Sequence, residues 1–117
     1  MSYQVGQAVI LENDSLLFAK LGGFENILGQ DCVMSDSAYH YSRPATEAEI
    51  LAEAVKHGWK QTNSKWLYVS PSGQLELMDN DGWTPVIKRQ PLSDQFGFFG
   101  QECITAHRLI TALNLAK

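Results

Sequence analysis

The N-terminal third of the chain alternates short apolar runs with polar turn sequences, at the two-residue period typical of β-strands. Val5, Val9 and Leu11 fall on one face of such a pattern. Strands, separated by polar turns such as residues 35–37, are predicted at 5–11, 16–21, 32–34 and 39–41. So many short strands close together indicate a small curled sheet.

A helix start follows at Thr46. Its hydroxyl can accept a hydrogen bond from the first helical turn, while Glu49, three residues later, can return one to the N-cap amide. Apolar residues then recur at helical spacing, and Gly58 provides a stop. The pattern predicts a helix over 47–57, with an apolar stripe of Ile50, Leu51, Ala54 and Val55.

Beyond Gly58 the apolar residues again recur at every second position, as in a β-strand. A hairpin is predicted from 66–69 and 75–78, and a third strand over 83–88. Pro85 cannot donate a ladder hydrogen bond, so this third strand is expected at an edge or at a bulge. A final helix is predicted at about 101–115, with Cys103, Ala106, Ile110 and Leu113 at helical spacing. The predicted fold is therefore α+β: small twisted antiparallel sheets or hairpins with two helices.

Length and composition favour one compact domain over residues 1–117. The chain has 117 residues, 44% hydrophobic and 19% charged, and a core of this size needs no metal or disulfide to hold it. The sequence contains no apolar run long enough to span a bilayer and no secretory signal at its start, so we expect a cytoplasmic protein without membrane contact.

The charge pattern disfavours nucleic acid as a partner. Nine Lys and Arg stand against 13 Asp and Glu, for a net charge of -4, and the basic residues form no stripe that could follow a phosphate backbone. A nucleic-acid-binding module remains an alternative if the basic residues cluster on the face of the Trp-bearing hairpin. The residues concerned are Lys60, Lys65, Lys88 and Arg89.

The residues with reactive or metal-binding side chains form no recognisable motif. Cys103 and His107 have a spacing that a metal site can use, but the remaining ligands would have to come from the distant Cys32 or His40. We expect two unbridged cysteines, no metal and no cofactor. A small thiol-dependent enzyme using Cys103 remains an alternative, although the sequence favours a non-enzymatic protein.

Two sets of aromatic residues are candidates for a binding surface. Phe96, Phe98 and Phe99 are bracketed by glycines that would allow one ring to face solvent, although the same rings would fill a core equally well. The tryptophans provide a second candidate, since they can form a stacking platform as well as pack under a helix. The expected binding residues are Phe96, Phe98, Phe99, Trp59 and Trp83, with Trp66 as a further member of the platform.

Residues 41–50, with the sequence YSRPATEAEI, resemble the RPAT-E-x-E-I junction of many small uncharacterised phage and prophage proteins. The resemblance implies an accessory protein of a mobile element that binds and redirects a host or phage protein. It transfers no functional residue to this chain. Together with the composition, it favours non-enzymatic protein binding, with the oligomeric state left open.

Overall fold

The computed structural model describes residues 3–87 and 98–117, with side chains from residue 100 onward in the last helix. This part of the chain forms two antiparallel sheets and three helices, which confirms the predicted α+β class. The helices are α1 (Asp36–His40), α2 (Glu47–Lys56) and α3 (Phe98–Leu115).

The first sheet is built from the N-terminal strands. Its strand order is β4-β3-β2-β1-β5, and its central strand β2 is buried along most of its length because both faces are covered. The observed β1 is shorter than the predicted strand 5–11. The strands are β1 (Ala8–Ile10), β2 (Leu16–Lys20), β3 (Gly23–Glu25), β4 (Asp31–Cys32) and β5 (Arg43–Pro44).

The second sheet has the order β6-β7-β8-β9. The predicted hairpin is confirmed, and Pro85 lies in β9 at the sheet edge, opposite Leu77 of β8. An edge position tolerates a residue without an N–H because one side of the strand needs no partner. The strands are β6 (Lys60–Gln61), β7 (Leu67–Val69), β8 (Leu75–Asp79) and β9 (Trp83–Ile87).

Helix α1 lies where the sequence predicted a turn at 35–37 and a strand at 39–41, so these two predictions were wrong. Ser35 is its N-cap and accepts a hydrogen bond from the backbone N–H of Ala38 at 3.1 Å. Tyr39 then packs edge-on against the rings of Tyr3 and Phe24. The turn-like sequence therefore starts a helix, and the Tyr39 ring makes contacts with residues distant in sequence.

Helices α2 and α3 match the predicted elements closely. Helix α2 ends one residue before the predicted end, and α3 begins earlier, at Phe98. In α3 the fully buried residues include Leu109 and Ala112, which the sequence pattern did not single out, whereas Ile110 packs at the edge of the core. One cluster of buried side chains joins both sheets, α2 and α3. No helix in the described part of the chain is long and apolar enough to cross a membrane.

Candidate binding cleft between helix α2 and strand β7

Helix α2 carries apolar residues on two sides: one is buried in the core, and the other is largely exposed, although its Leu51 is partly buried against the core. Ile50 and Ala54 are completely buried. A second set, at helical spacing i, i+3, i+4 and i+7, lines an open cleft, and its last member Val55 is 49% exposed. This set, which we call the outer stripe, comprises Ala48, Leu51, Ala52 and Val55.

The opposite wall of the cleft comes from the β6–β7 hairpin. Thr62 stabilises this turn, because its hydroxyl can donate to either of two carbonyl oxygens, that of Leu67 at 3.0 Å or that of Ser64 at 3.2 Å. Trp66 follows the turn, and its ring stands at the cleft with 53% of its surface exposed. The cleft has a volume of about 590 Å³, which is the size of a small-ligand or side-chain pocket.

Trp83 and Glu47 lie together at the base of the cleft. The indole Nε1 of Trp83 donates a hydrogen bond of 3.1 Å to Oε2 of Glu47. Asn114 of α3 holds the backbone of Trp83, since its amide accepts from the Trp83 N–H at 2.8 Å and donates to the Trp83 carbonyl at 3.0 Å. The base is therefore anchored to three elements, α2, β9 and α3.

Tyr68 adds a third aromatic ring, 6.2 Å from that of Trp83 between centroids. Burial raises the pKa of Tyr68 above its ordinary value of 10.0, and the charge of Glu47 raises it further. The phenol of Tyr68 therefore stays protonated to a higher pH than an ordinary tyrosine.

Among the described residues that line the cleft, two carry a formal charge, Glu47 and Lys65. The ammonium of Lys65 lies 5.0 Å from the centre of the Trp66 ring, within the range of a cation–π contact. The cleft thus combines apolar walls with one carboxylate and an aromatic face that already binds a cation. This chemistry suits binding.

The candidate residues from the sequence have different positions in the structure. Trp59 and Trp83 are each only 2% exposed, so neither offers a free face for stacking, although one edge of Trp83 forms part of the base of the cleft. Phe96 lies outside the described residues, and so do the side chains of Phe98 and Phe99. The prediction that these phenylalanines contact a partner therefore stays a prediction.

The reactive side chains are dispersed. Cys32 and Cys103 are unbridged; Cys32 lies in β4, whereas Cys103 packs against the core from α3. His40 stacks edge-on with Tyr41, and His57 pairs with Glu53 at 3.3 Å. Within residues 3–87 and 98–117, no group of three or more His, Cys, Asp and Glu residues is placed to hold a metal ion.

The basic residues considered for nucleic-acid binding are only partly described. Lys60 is an exposed residue of β6, and Lys65 lies over Trp66. Lys88 and Arg89 fall outside the described residues. The described residues therefore do not show a continuous basic surface on this hairpin.

The sequence pattern missed Glu47 and the alanines of the outer stripe as candidate site residues. Glu47 entered the sequence analysis only as the first residue of the predicted helix, and Ala48 and Ala52 are too small to stand out in an apolar pattern. A signal was nevertheless present, because α2 carries apolar residues over a wider arc than one buried face requires.

Comparisons with known proteins found no protein family, no curated protein and no solved structure that matches this chain.

Proposed function

We propose that this chain is a non-enzymatic binding protein that docks a segment of a partner protein into the cleft between α2 and β7. The observation that supports this is the outer stripe of α2, exposed apart from the partly buried Leu51 and faced across the cleft by the half-exposed Trp66. The resemblance at residues 41–50 adds the proposal that the chain is a phage-type accessory protein and that its partner is a host or phage protein.

The composition of the cleft fits a docking surface. Tryptophan is enriched among the residues that dominate binding energy at protein interfaces, and an aromatic ring beside a groove is a typical anchor. Ala48 and Ala52 keep the helix surface low, so a partner backbone can approach closely. Each apolar Å² covered by the partner contributes roughly 25 cal/mol before the costs of association.

The experiment is selection from a displayed library of random short peptides on the immobilised full chain. Peptides that bind are then measured by titration calorimetry against wild type and Trp66→Ala. We expect Trp66→Ala to weaken binding by about 2 kcal/mol, roughly thirtyfold, since it removes the wall of the cleft.

Leu21→Ala is the matched control. Leu21 is 89% exposed and lies in the turn between β2 and β3, so its truncation removes an exposed apolar side chain outside the cleft. Both variants should unfold within about 0.5 kcal/mol of the parent. If no peptide is selected, or if the selected peptides bind Trp66→Ala and Leu21→Ala equally well, the cleft is not the docking site and the proposal is wrong.

A further inference from the structure

We infer that the partner segment is basic: an arginine or lysine side chain beside an apolar residue, whose charged group is bound by the Glu47 carboxylate and an aromatic face of the cleft. This inference rests on the proposed function and names the chemistry of its ligand.

Glu47 is a carboxylate only partly compensated by its surroundings. It is half-buried at the base of an apolar cleft, and the hydrogen bond that it receives there comes from the neutral indole of Trp83. The ion pairs of the described residues do not include Glu47. A cationic group from the partner would add an attraction between opposite charges, which the neutral indole of Trp83 does not provide, and would therefore stabilise this carboxylate further.

Trp66 shows that the cleft accepts a cation. The Lys65 ammonium already lies over its ring at 5.0 Å, on an exposed and flexible side chain. A partner guanidinium can displace it at little cost, since a planar guanidinium stacks on an indole and is less strongly hydrated than an ammonium. Lys65 thus occupies in the unbound chain a position that suits a partner cation.

The overall charge favours the same class of partner. The chain has a net charge of -4, which attracts a basic segment over long range and increases its association rate. Among the described residues that line the cleft, the positive charge comes from Lys65, whose exposed side chain can move away from Trp66 into solvent. An acidic segment would be repelled by the Glu47 carboxylate and would be attracted in the cleft by this mobile ammonium.

The test uses the selected peptides whose binding is weakened by Trp66→Ala, which we call cleft-dependent peptides. We expect their sequences to be enriched in arginine and lysine next to an apolar residue. Glu47→Gln should weaken their binding roughly tenfold, while the exposed Glu12→Gln, which removes the same charge far from the cleft, should change it less than twofold. Glutamine can still accept the Trp83 hydrogen bond, so the fold should be preserved.

Changes in the peptide and in Lys65 complete the test. Replacing the selected arginine of the peptide by glutamine should weaken binding by about the same factor as Glu47→Gln. Combining the two changes should weaken binding little further, because both remove the same interaction. Lys65→Ala should leave binding unchanged or strengthen it. This inference would be overturned if the cleft-dependent peptides were neutral or acidic, or if Glu47→Gln did not weaken their binding. The docking proposal would then remain intact.

Two other outcomes are decisive. If no cleft-dependent peptide is selected, the docking function itself fails, and this inference fails with it. If instead a single-stranded oligothymidylate binds and its binding is lost in both Lys65→Ala and Trp66→Ala, the cleft binds nucleic acid and the inference of a basic peptide is wrong.

Discussion

At the scale of single residues, Glu49 is the most strongly perturbed carboxylate among the described residues. Arg43 binds it in a two-pronged contact, with Nη1–Oε1 at 2.9 Å and Nη2–Oε2 at 2.7 Å. Thr46 completes the predicted capping box, because its backbone N–H donates to Oε1 of Glu49 at 2.9 Å. The hydrogen bonds from Arg43 and then from Thr46 lower the pKa of Glu49 from 4.5 to about 2.

This lowered pKa predicts a specific pH dependence of stability. A carboxylate whose pKa falls on folding stabilises the folded state above its unfolded pKa, and that contribution is lost as the pH falls toward the folded value. Glu49→Gln should therefore cost about 1 kcal/mol at pH 7, since the partly exposed pair is screened by solvent, and the cost should shrink between pH 4.5 and pH 2.

Denaturant unfolding of wild type and Glu49→Gln across this pH range measures the effect. Glu12→Gln serves as the control for simple loss of a negative charge, because Glu12 is exposed in the turn between β1 and β2. A destabilisation of Glu49→Gln that stays constant down to pH 2 would contradict the assigned pKa.

Residue-scale signals explain why the start of α2 was predictable and the cleft was not. The capping box connects residues three apart, so the types of Thr46 and Glu49 contain nearly all the information needed. The contrast between Trp66, which is half exposed, and Trp83, which is buried, depends instead on Asn114 and Glu47, more than thirty positions away from Trp83 in sequence. No local pattern distinguishes these two tryptophans.

At the scale of elements, α3 ties the two sheets together through polar contacts along its length. Near its start Glu102 accepts hydrogen bonds from Ser72 in the β7–β8 turn, and near its end Asn114 holds Trp83 of β9. Between them Arg108 reaches the first sheet, with Nε 2.9 Å from Oε1 of Glu25 and Nη1 2.7 Å from the Ile27 carbonyl. The apolar period predicted this helix but could not show which sheets it joins.

Arg108 should therefore contribute more to stability than its single charge suggests. Only 14% of its side chain and 19% of the Glu25 side chain are exposed. Arg108→Met would leave a largely buried carboxylate and an unpaired carbonyl, which we expect to cost about 2 to 3 kcal/mol of unfolding free energy.

Lys117→Met provides the comparison, because the Lys117 side chain is 39% exposed, against 14% for Arg108, so the loss of its contact with Asp79 should cost less than the loss of Arg108. Chemical denaturation of both variants, with Glu25→Gln and the Arg108→Met/Glu25→Gln pair, gives the coupling energy. Additive costs for Arg108 and Glu25 would show that the contact does not stabilise the docking of α3.

At the scale of the whole molecule, the two sheets share one cluster of buried side chains. Phe18 of the first sheet and Leu77 of the second belong to it, together with Leu109 of α3. The sequence predicted the two strand-rich segments and the α+β class, since those depend on local periodicity. It could not predict that α2 and α3 pack into a core common to both sheets, because such packing is decided by contacts between distant segments.

A shared core predicts that the chain unfolds as one cooperative unit, and the tryptophans allow this to be measured. The buried Trp59 and Trp83 border or belong to the second sheet, so their fluorescence reports on that half of the molecule. Phe18→Ala, a truncation in the first sheet, should cost about 3 to 5 kcal/mol. Because the core is common, the fluorescence midpoint in denaturant should shift by the full amount, in step with far-ultraviolet circular dichroism.

Leu77→Ala, in the second sheet, should shift both signals in the same way. If the tryptophan fluorescence of Phe18→Ala kept the wild-type midpoint, the two sheets would unfold independently. Destabilising the first sheet would then have left the unfolding of the region around Trp83 unchanged.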